Sequence, residues 1–246
     1  MDRLIYTALS GMQASMDRQR AIASNMANTN TLGFRAELIE QRARTIEGHP
    51  NEARAMQTAR VTGADMSGGE IIETGRDLDI AMATDSLMAV QAQDGTEAYT
   101  RRGDLSLSAT GLLVTGEGHP VLGDTGPITV PPGGRISISE DGTVTRTDPD
   151  APEAPPAEVG RIKLASWEGS PIAKGLDGLF RVEGGGILPT DAEGRVHTGA
   201  LEQSNVKPTE VLVAMIEEQR LFGMRSKLVS TARQLDESGA QLMRLS

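Results

Sequence analysis

The N-terminal segment carries an apolar pattern with helical periodicity, and this pattern restricts the fold more than any other feature of the chain. Its apolar side chains recur at intervals of three, four and seven residues, at Ile5, Leu9, Met12, Met16, Ala23 and Met26. This N-terminal apolar series predicts an amphipathic, coiled-coil-like helix. Six such side chains contribute roughly 9–18 kcal/mol when buried, whereas ordering a helix of this length costs about 25 kcal/mol or more. We therefore predict that the helix becomes ordered on assembly, with partners on more than one side.

A second amphipathic helix is predicted at the other end of the chain. Pro208 suits the first helical turn, and a C-terminal apolar series follows at Val211, Ala214, Leu221, Leu228, Leu235 and Leu242. Glu218 and Arg225 interrupt this series, so a perfect two-stranded coil is not expected. We predict one helix of about thirty residues, which packs on the first helix or on neighbouring molecules.

The middle of the chain has a different pattern. Short runs alternate between apolar and polar residues, as around Leu105 and Leu107 and around Ile136 and Ile138. Asp-Gly turn signals separate these runs, which together favour an antiparallel β domain. The predicted fold class is therefore α+β, with a helix over residues 1–34, a largely extended connector over 35–75, a β domain over 76–199 and a helix over 200–246 that pairs with 1–34.

The first helix is predicted to stop at the stretch NMANTNTLGF, residues 25–34. Asn, Thr and Gly favour helix ends and turns because they tolerate left-handed or side-chain-capped backbone geometry. We assign the stop, and a hinge between the helix and the β domain, to Asn25, Asn28, Thr31, Gly33 and Phe34. Phe34 is expected to anchor the outgoing connector against the helical layer.

Composition and motifs argue against catalysis. The chain has no Cys, which excludes disulfides and thiolate chemistry, and its net charge of −10 disfavours a nucleic-acid partner. No G-x-S-x-G or phosphate-loop motif occurs, and the three histidines lie far apart in sequence. We therefore expect no enzyme activity, no metal and no cofactor.

The sequence also gives no sign of a membrane segment. No apolar run approaches the ~20 residues needed to span a bilayer, and the N-terminus does not resemble an ordinary secretory signal. Direct lipid binding is not expected.

Two other functional classes stay open at this level. A secreted β-domain hydrolase or carbohydrate-binding module would need a cluster of aromatic residues, and the whole chain has one Trp, two Tyr and three Phe. A dimeric coiled-coil adaptor would need an unbroken heptad pattern, which Glu218 and Arg225 interrupt.

The most specific signal is a resemblance to the flagellar rod and hook family of axial proteins. The opening MDRLIYTALSGMQAS, the stretch ASNMANTNTLGFRAE, the central residues 78–133 and the closing GALEQSNVKPTEVLVAMIEEQRLFGMRSKLVS resemble the family's signatures in the correct order. The chain departs from them with Ser24, Met26, Lys207 and Gly223. Within the family the sequence looks most like the proximal rod subunit, with the distal rod subunit as the nearest alternative.

The resemblance implies a structural subunit of the bacterial flagellar basal-body rod. Such subunits assemble helically with copies of themselves and with other rod subunits, through terminal helices, to transmit torque from the motor to the hook. The resemblance further implies passage through the flagellar type III export apparatus, without a cleaved signal peptide, to a rod that spans the periplasm.

Overall fold

The chain has an α+β fold with a helix at each end and many antiparallel strands between them. The structure is a computed structural model that describes residues 2–46, 54–148 and 155–244, with side chains described for 9–39, 63–148, 155–234 and 238. It divides into two compact units. The helical unit comprises Met1–Ala27, Glu37–Gly63 and Lys207–Ser246, and the β unit comprises Asn28–Ala36 and Ala64–Val206.

The helical unit contains two helices and a two-stranded sheet. Its elements are α1 (Asp2–Ala27), β1 (Glu37–Ile46), β2 (Arg54–Ala64) and α2 (Pro208–Arg244). The pair β1–β2 occupies most of the stretch predicted to be an extended connector. Helix α2 begins at Pro208, and its 37 residues exceed the predicted length because the helix continues through Gly239.

The β unit is built from sixteen short strands. They are β3 (Ile71–Glu73), β4 (Ile80–Met82), β5 (Ser86–Gln91), β6 (Glu97–Thr100), β7 (Leu105–Leu107), β8 (Leu113–Thr115), β9 (Leu122–Gly123), β10 (Gly126–Pro127), β11 (Arg135–Ile138), β12 (Thr143–Thr147), β13 (Ala157–Arg161), β14 (Leu164–Ser166), β15 (Ile172–Lys174), β16 (Phe180–Val182), β17 (Val196–Thr198) and β18 (Ala200–Glu202). Strands β3 and β18 lie outside the predicted β domain of 76–199 and pair with each other, with Leu201 opposite Ile72.

Pairing within the β unit is antiparallel throughout the described strands. The largest sheet has the order β14-β5-β6-β16-β15, and a three-stranded sheet has the order β11-β12-β13. Strand β12 changes register against β13 between Val144 and Thr145. Two-stranded ribbons complete the unit, as expected when Gly-containing turns separate short strands.

Two hydrophobic clusters form the core of the β unit. The larger cluster is aliphatic and contains side chains such as Ile80, Leu105 and Val144. The smaller one surrounds Tyr99 and Phe180, and the single Trp of the chain, Trp167, packs against it. Alternating burial along β11 follows the period of two that separates the two faces of a strand.

Candidate assembly surfaces

Helices α1 and α2 pack against each other through a face of α1 that carries mostly small residues. The buried side chains on α1 are Ser10, Gly11, Ala14, Ser15, Ala21 and Ile22. Small side chains allow two helix backbones to approach closely, but each of them buries little apolar area. The contact within the chain is therefore close but contributes little hydrophobic stabilisation.

The centre of this contact is polar. The hydroxyl of Ser15 donates to Oε1 of Glu218 at 2.6 Å, and Nε of Arg18 lies 3.4 Å from Oε2 of the same carboxylate. Arg225 donates to the carbonyl of Gly11 at 2.9 Å and also contacts Ser15 Oγ. Glu218 is 2% exposed. Its buried charge is balanced inside the helix pair by the guanidinium groups of Arg18 and Arg225.

Glu218 and Arg225 interrupt the apolar series of α2, and the structure places both at the contact with α1. The apolar pattern alone did not indicate that these two charged side chains make contacts of their own there. A carboxylate whose charge is paired across the interface can occupy such a position.

The two predicted apolar series lie largely outside the contact between the helices. Leu9 and Met16 on α1 are 49% and 45% exposed, and Leu221 and Leu228 on α2 are 36% and 67% exposed. Ala23 is also exposed, whereas Met12, Met26, Val211 and Ala214 are half-buried. The side chains of Ile5, Leu235 and Leu242 lie outside the described residues. The helices pair as expected, but a different face of α1 makes the contact.

Helix α2 exposes further apolar side chains that the sequence analysis missed. Leu212, Val213, Ile216 and Met224 are between 44% and 57% exposed. Val213, Ile216 and Met224 share helical spacing with Leu221 and Leu228, so a count over every helical face would have found this second stripe. We call Val213, Ile216, Leu221, Met224 and Leu228 the exposed α2 stripe.

The predicted helix stop, residues 25–34, overlaps the last three residues of α1, and the observed turn begins at Asn28, directly after Ala27. Thr31 closes a turn by donating its backbone N–H to the carbonyl of Asn28 at 3.2 Å, and its hydroxyl donates to Asn28 Oδ1 at 3.0 Å. Gly33 has a φ of 65°, a left-handed conformation that favours glycine. Asn28 and Thr31 therefore form the turn, and Gly33 redirects the chain.

Asn25 has a different position from the one expected for a stop residue. It lies inside α1, and its side-chain amide pairs with the backbone of Glu37 at the start of β1. The N–H of Glu37 donates to Asn25 Oδ1 at 2.8 Å, and Asn25 Nδ2 donates to the Glu37 carbonyl at 3.1 Å. Asn25 therefore holds the start of β1 against α1 within the helical unit. The residues between these two elements, Asn28–Ala36, belong to the β unit.

The residues after the turn are held within the β unit. The N–H of Gly33 donates to the carbonyl of Glu202 at 2.8 Å, and a Cβ on Gly33 would clash with the carbonyl carbon of Arg101. Phe34 is buried beneath Lys174, whose Nζ lies 3.2 Å from the ring centroid. The expectation that Phe34 packs against the helical layer is therefore corrected, because its cation–π partner belongs to the β unit.

A buried cluster, which we call the guanidinium cluster, fixes the next residue. Glu202 accepts from Arg35 Nη2 at 2.5 Å, from Arg101 Nε at 2.7 Å and from the N–H of Gly69 at 2.8 Å. All three charged side chains are at least 95% buried. Nε and Nη1 of Arg35 have no hydrogen-bond partner among the described residues. Desolvation by burial lowers the pKa of Arg35, although the nearby carboxylate of Glu202 opposes this effect.

Asn205 joins three separate segments of the β unit. Its Oδ1 accepts from the N–H of Ala36 at 2.8 Å, and its Nδ2 donates to the carbonyls of Asp65 at 2.8 Å and Ser67 at 3.0 Å. Asp65 also donates its N–H to the carbonyl of Ala36 at 2.8 Å. These segments are the points at which the chain enters or leaves the β unit, so one side chain ties them together.

The described part of the chain offers little for chemistry. It contains no group of three or more His, Asp or Glu side chains placed to hold a metal ion. Within its described residues, neither helix has a stretch long and apolar enough to cross a membrane. The features that call for a function are the exposed apolar side chains of both helices.

Comparison with known proteins identifies the context of these surfaces. Residues 5–35 match the family described as flagella basal body rod protein, residues 81–146 match the flagellar hook protein FlgE/F/G D1 domain, and residues 197–242 match the flagellar basal body rod FlgEFG protein C-terminal family.

Curated relatives match over the full chain. The chain is 41% identical to the flagellar basal-body rod protein FlgF of Salmonella typhimurium and 40% identical to FlgF of Escherichia coli. Each match covers 100% of this chain and 100% of the relative. It is 31% identical to the flagellar basal-body rod protein FlgG of Bacillus subtilis, covering 99% of this chain and 100% of the relative. The chain therefore belongs to the flagellar basal-body rod protein family and is a structural subunit of the rod, not an enzyme.

Proposed function

We propose that the chain polymerises, with copies of itself and with other rod subunits, through the exposed apolar faces of α1 and α2, and that it forms the proximal part of the rod. The observation that carries this proposal is the exposed α2 stripe, together with Leu9 and Met16 on α1. Isolated exposed apolar residues are ordinary, but five on one side of a helix favour a partner, although the exposed charged residues Glu217 and Arg220 lie among them.

The free energy of burying the exposed α2 stripe supports this role. Each of its five side chains contributes about 1.5–3 kcal/mol when taken from full exposure to burial. They are 36–67% exposed in the single chain, so covering them adds roughly half of that, about 4–8 kcal/mol per subunit. Repeated along a polymer, contacts of this size resist torque without any chemical step.

The geometry of the contact favours a helix of subunits. The exposed faces of α1 and α2 carry different residues, so a contact between them is heterologous. A heterologous contact that does not close into a ring generates a helical filament. The corner at Asn28, Thr31 and Gly33 supports the same arrangement, because it ends α1 and lets the chain enter the β unit.

We further infer that the subunit reaches the rod through the flagellar export apparatus and lies where the rod crosses the periplasm. Family membership supports this route. The chain has no Cys, so no disulfide has to be broken before an unfolded chain can pass. The proximal position is supported by the higher identity to the FlgF relatives, 41% and 40%, than to the FlgG relative, 31%.

The test is a charge placed in the stripe. Leu228→Asp should prevent incorporation into basal bodies and abolish motility, because a carboxylate buried in an apolar contact is costly. The β unit should stay folded, which Trp167 fluorescence reports. Ser226→Asp is the matched control, since Ser226 is an exposed polar residue of the same helix.

The outcomes separate the alternatives clearly. Normal motility of the Leu228→Asp strain would show that the stripe is not an assembly contact. Equal loss in the Ser226→Asp strain would mean that added charge on α2, and not the loss of the stripe, blocks assembly. Retention of the subunit in basal bodies from a strain without the distal rod supports the proximal position, and its absence there contradicts it.

A further inference from the structure

The helix pair raises a question of register. Its contact face on α1 carries small residues, since Gly11 and Ser15 meet α2 directly and their neighbours Ser10 and Ala14 are also buried. Because these side chains differ little in shape, their packing distinguishes weakly between the observed alignment and one shifted along the helix axis. Something else has to select the alignment.

The polar contacts have the specificity that the small residues lack. Gly11 is joined to Arg225, and Ser15 and Arg18 are joined to Glu218, so residue numbers rise along α1 as they fall along α2. The helices are therefore antiparallel, with four side-chain contacts meeting in one patch. Fixing the register of paired helices is the best-attested role of a buried polar group that is satisfied in only one alignment.

A shift of one heptad destroys this arrangement in either direction. In one direction Arg225 becomes level with Arg18, and Glu218 moves from beside Ser15 and Arg18 to beside Ile22 and Asn25. In the other direction Arg225 becomes level with Leu4. The first shift places the buried Glu218 carboxylate beside the apolar Ile22 and brings two positive charges together. The second takes the partly buried Arg225 away from the carbonyl of Gly11.

We propose that Ser15, Arg18, Glu218 and Arg225 form a register lock that sets the alignment of α1 with α2 in the assembled subunit. The lock matters for assembly, and to that extent rests on the proposed function, because a shift of one heptad moves the exposed α2 stripe by about 10.5 Å relative to α1. Such a displacement is far larger than a packed contact tolerates. Polar residues thus fix the positions of the apolar faces that neighbouring subunits recognise.

The experiment measures the register inside basal bodies. Gln13 and Gln219 are exposed residues on α1 and α2, and the chain has no native Cys. Gln13→Cys and Gln219→Cys therefore allow two spin labels to be attached at known positions. Labelled chain is co-assembled with an excess of unlabelled chain, and pulsed electron paramagnetic resonance then gives the distance within one subunit.

The variants compare two neighbouring glutamates. Unchanged chain and the control Glu217→Leu, which alters an exposed residue, should both give one narrow distance. Glu218→Leu should add a second population, displaced along the helix axis by about 10.5 Å. Glu218→Gln keeps an acceptor for the Ser15 hydroxyl and should retain mainly the original distance.

Each outcome decides a definite point. A single unchanged distance in Glu218→Leu would overturn the register lock. If both Glu218 variants are absent from basal bodies while Glu217→Leu is present, Glu218 is needed for folding or export and the proposal also fails. Absence of the unchanged labelled chain from basal bodies would instead contradict the assembly proposal itself.

Discussion

Replacing Glu202 and replacing Arg35 in the guanidinium cluster should give unequal losses of stability. Glu202 is the single carboxylate between Arg35 and Arg101 in this cluster, and all three side chains are buried. Glu202→Gln removes the negative charge and keeps the shape. Arg35→Met removes one of the two positive charges and replaces it with an apolar side chain of similar length.

The magnitudes follow from the hydrogen bonds. Glu202→Gln removes the carboxylate that both buried guanidinium groups contact, a change that typically costs about 3–5 kcal/mol. Arg35→Met loses one charge-assisted hydrogen bond, worth about 1.5–3 kcal/mol. It also removes Nε and Nη1, two buried donors without a described partner, which each cost about 1–3 kcal/mol. The net change for Arg35→Met should therefore range from a loss of about 1 kcal/mol to a gain of a few kcal/mol.

The assay is urea unfolding of the full-length chain. Trp167 packs on the smaller core cluster and is the single Trp, so its fluorescence reports on the β unit. A difference of about 2 kcal/mol between the two variants moves the urea midpoint by about 1 M for a slope near 2 kcal/mol per M. Arg102→Met is the matched control. Arg102 forms partly exposed ion pairs with Asp104 and Glu117, and loss of such pairs costs about 1 kcal/mol or less.

If Arg35→Met loses as much stability as Glu202→Gln, then the positive charge of Arg35 stabilises the cluster. Its unpartnered nitrogens would then not weaken the cluster. A loss in Arg102→Met as large as that in Glu202→Gln would show that the assay responds to any missing arginine and not to burial.

Three further changes test other parts of the chain. Gly33→Ala should destabilise the β unit by at least about 1 kcal/mol through its positive φ alone, and by more because the new Cβ meets the backbone of Arg101; an unchanged urea midpoint would contradict this. Asn205→Ala should cost about 2–3 kcal/mol for three lost hydrogen bonds, and a loss below about 0.5 kcal/mol would show that these bonds are dispensable. Burial, with help from the hydrogen bond to Glu97, raises the pKa of the Tyr99 phenol, so the folded state keeps its proton while the unfolded state ionises near pH 10. Stability contributed by Tyr99 is therefore present below about pH 10 and lost above it, and Tyr99→Phe should remove about 1.4 kcal/mol of the fall between about pH 9 and about pH 11; an equal fall in both proteins would refute this sign.

The sequence predicted the α+β class and the order of its parts because both depend on local periodicity. Repeats of three and four residues indicate helices, and alternation with Asp-Gly turns indicates antiparallel strands. The turn at Asn28, Thr31 and Gly33 was also readable, since these residue types favour it through their own backbone and side-chain geometry. The family signatures were visible for the same reason, being short contiguous stretches.

Contacts between distant residues could not be read in this way. Ser15 and Glu218 are 203 positions apart, and Arg35 and Glu202 are 167 positions apart. Nothing in either local pattern states that these pairs meet. Asn25 was likewise assigned to the helix stop, whereas the fold uses its side-chain amide to hold the start of β1.

The sequence by itself determined where helices and strands form, because neighbouring residues fix the backbone of each segment. It also determined that each terminal helix has more apolar surface than one partner covers. Only the tertiary structure decided which face of α1 meets α2. That choice favours small residues and paired charges, since close backbone approach and a neutralised carboxylate satisfy the inner contact. The longer apolar side chains, Leu9, Met16 and Leu228 among them, are consequently left on the outside of the helix pair.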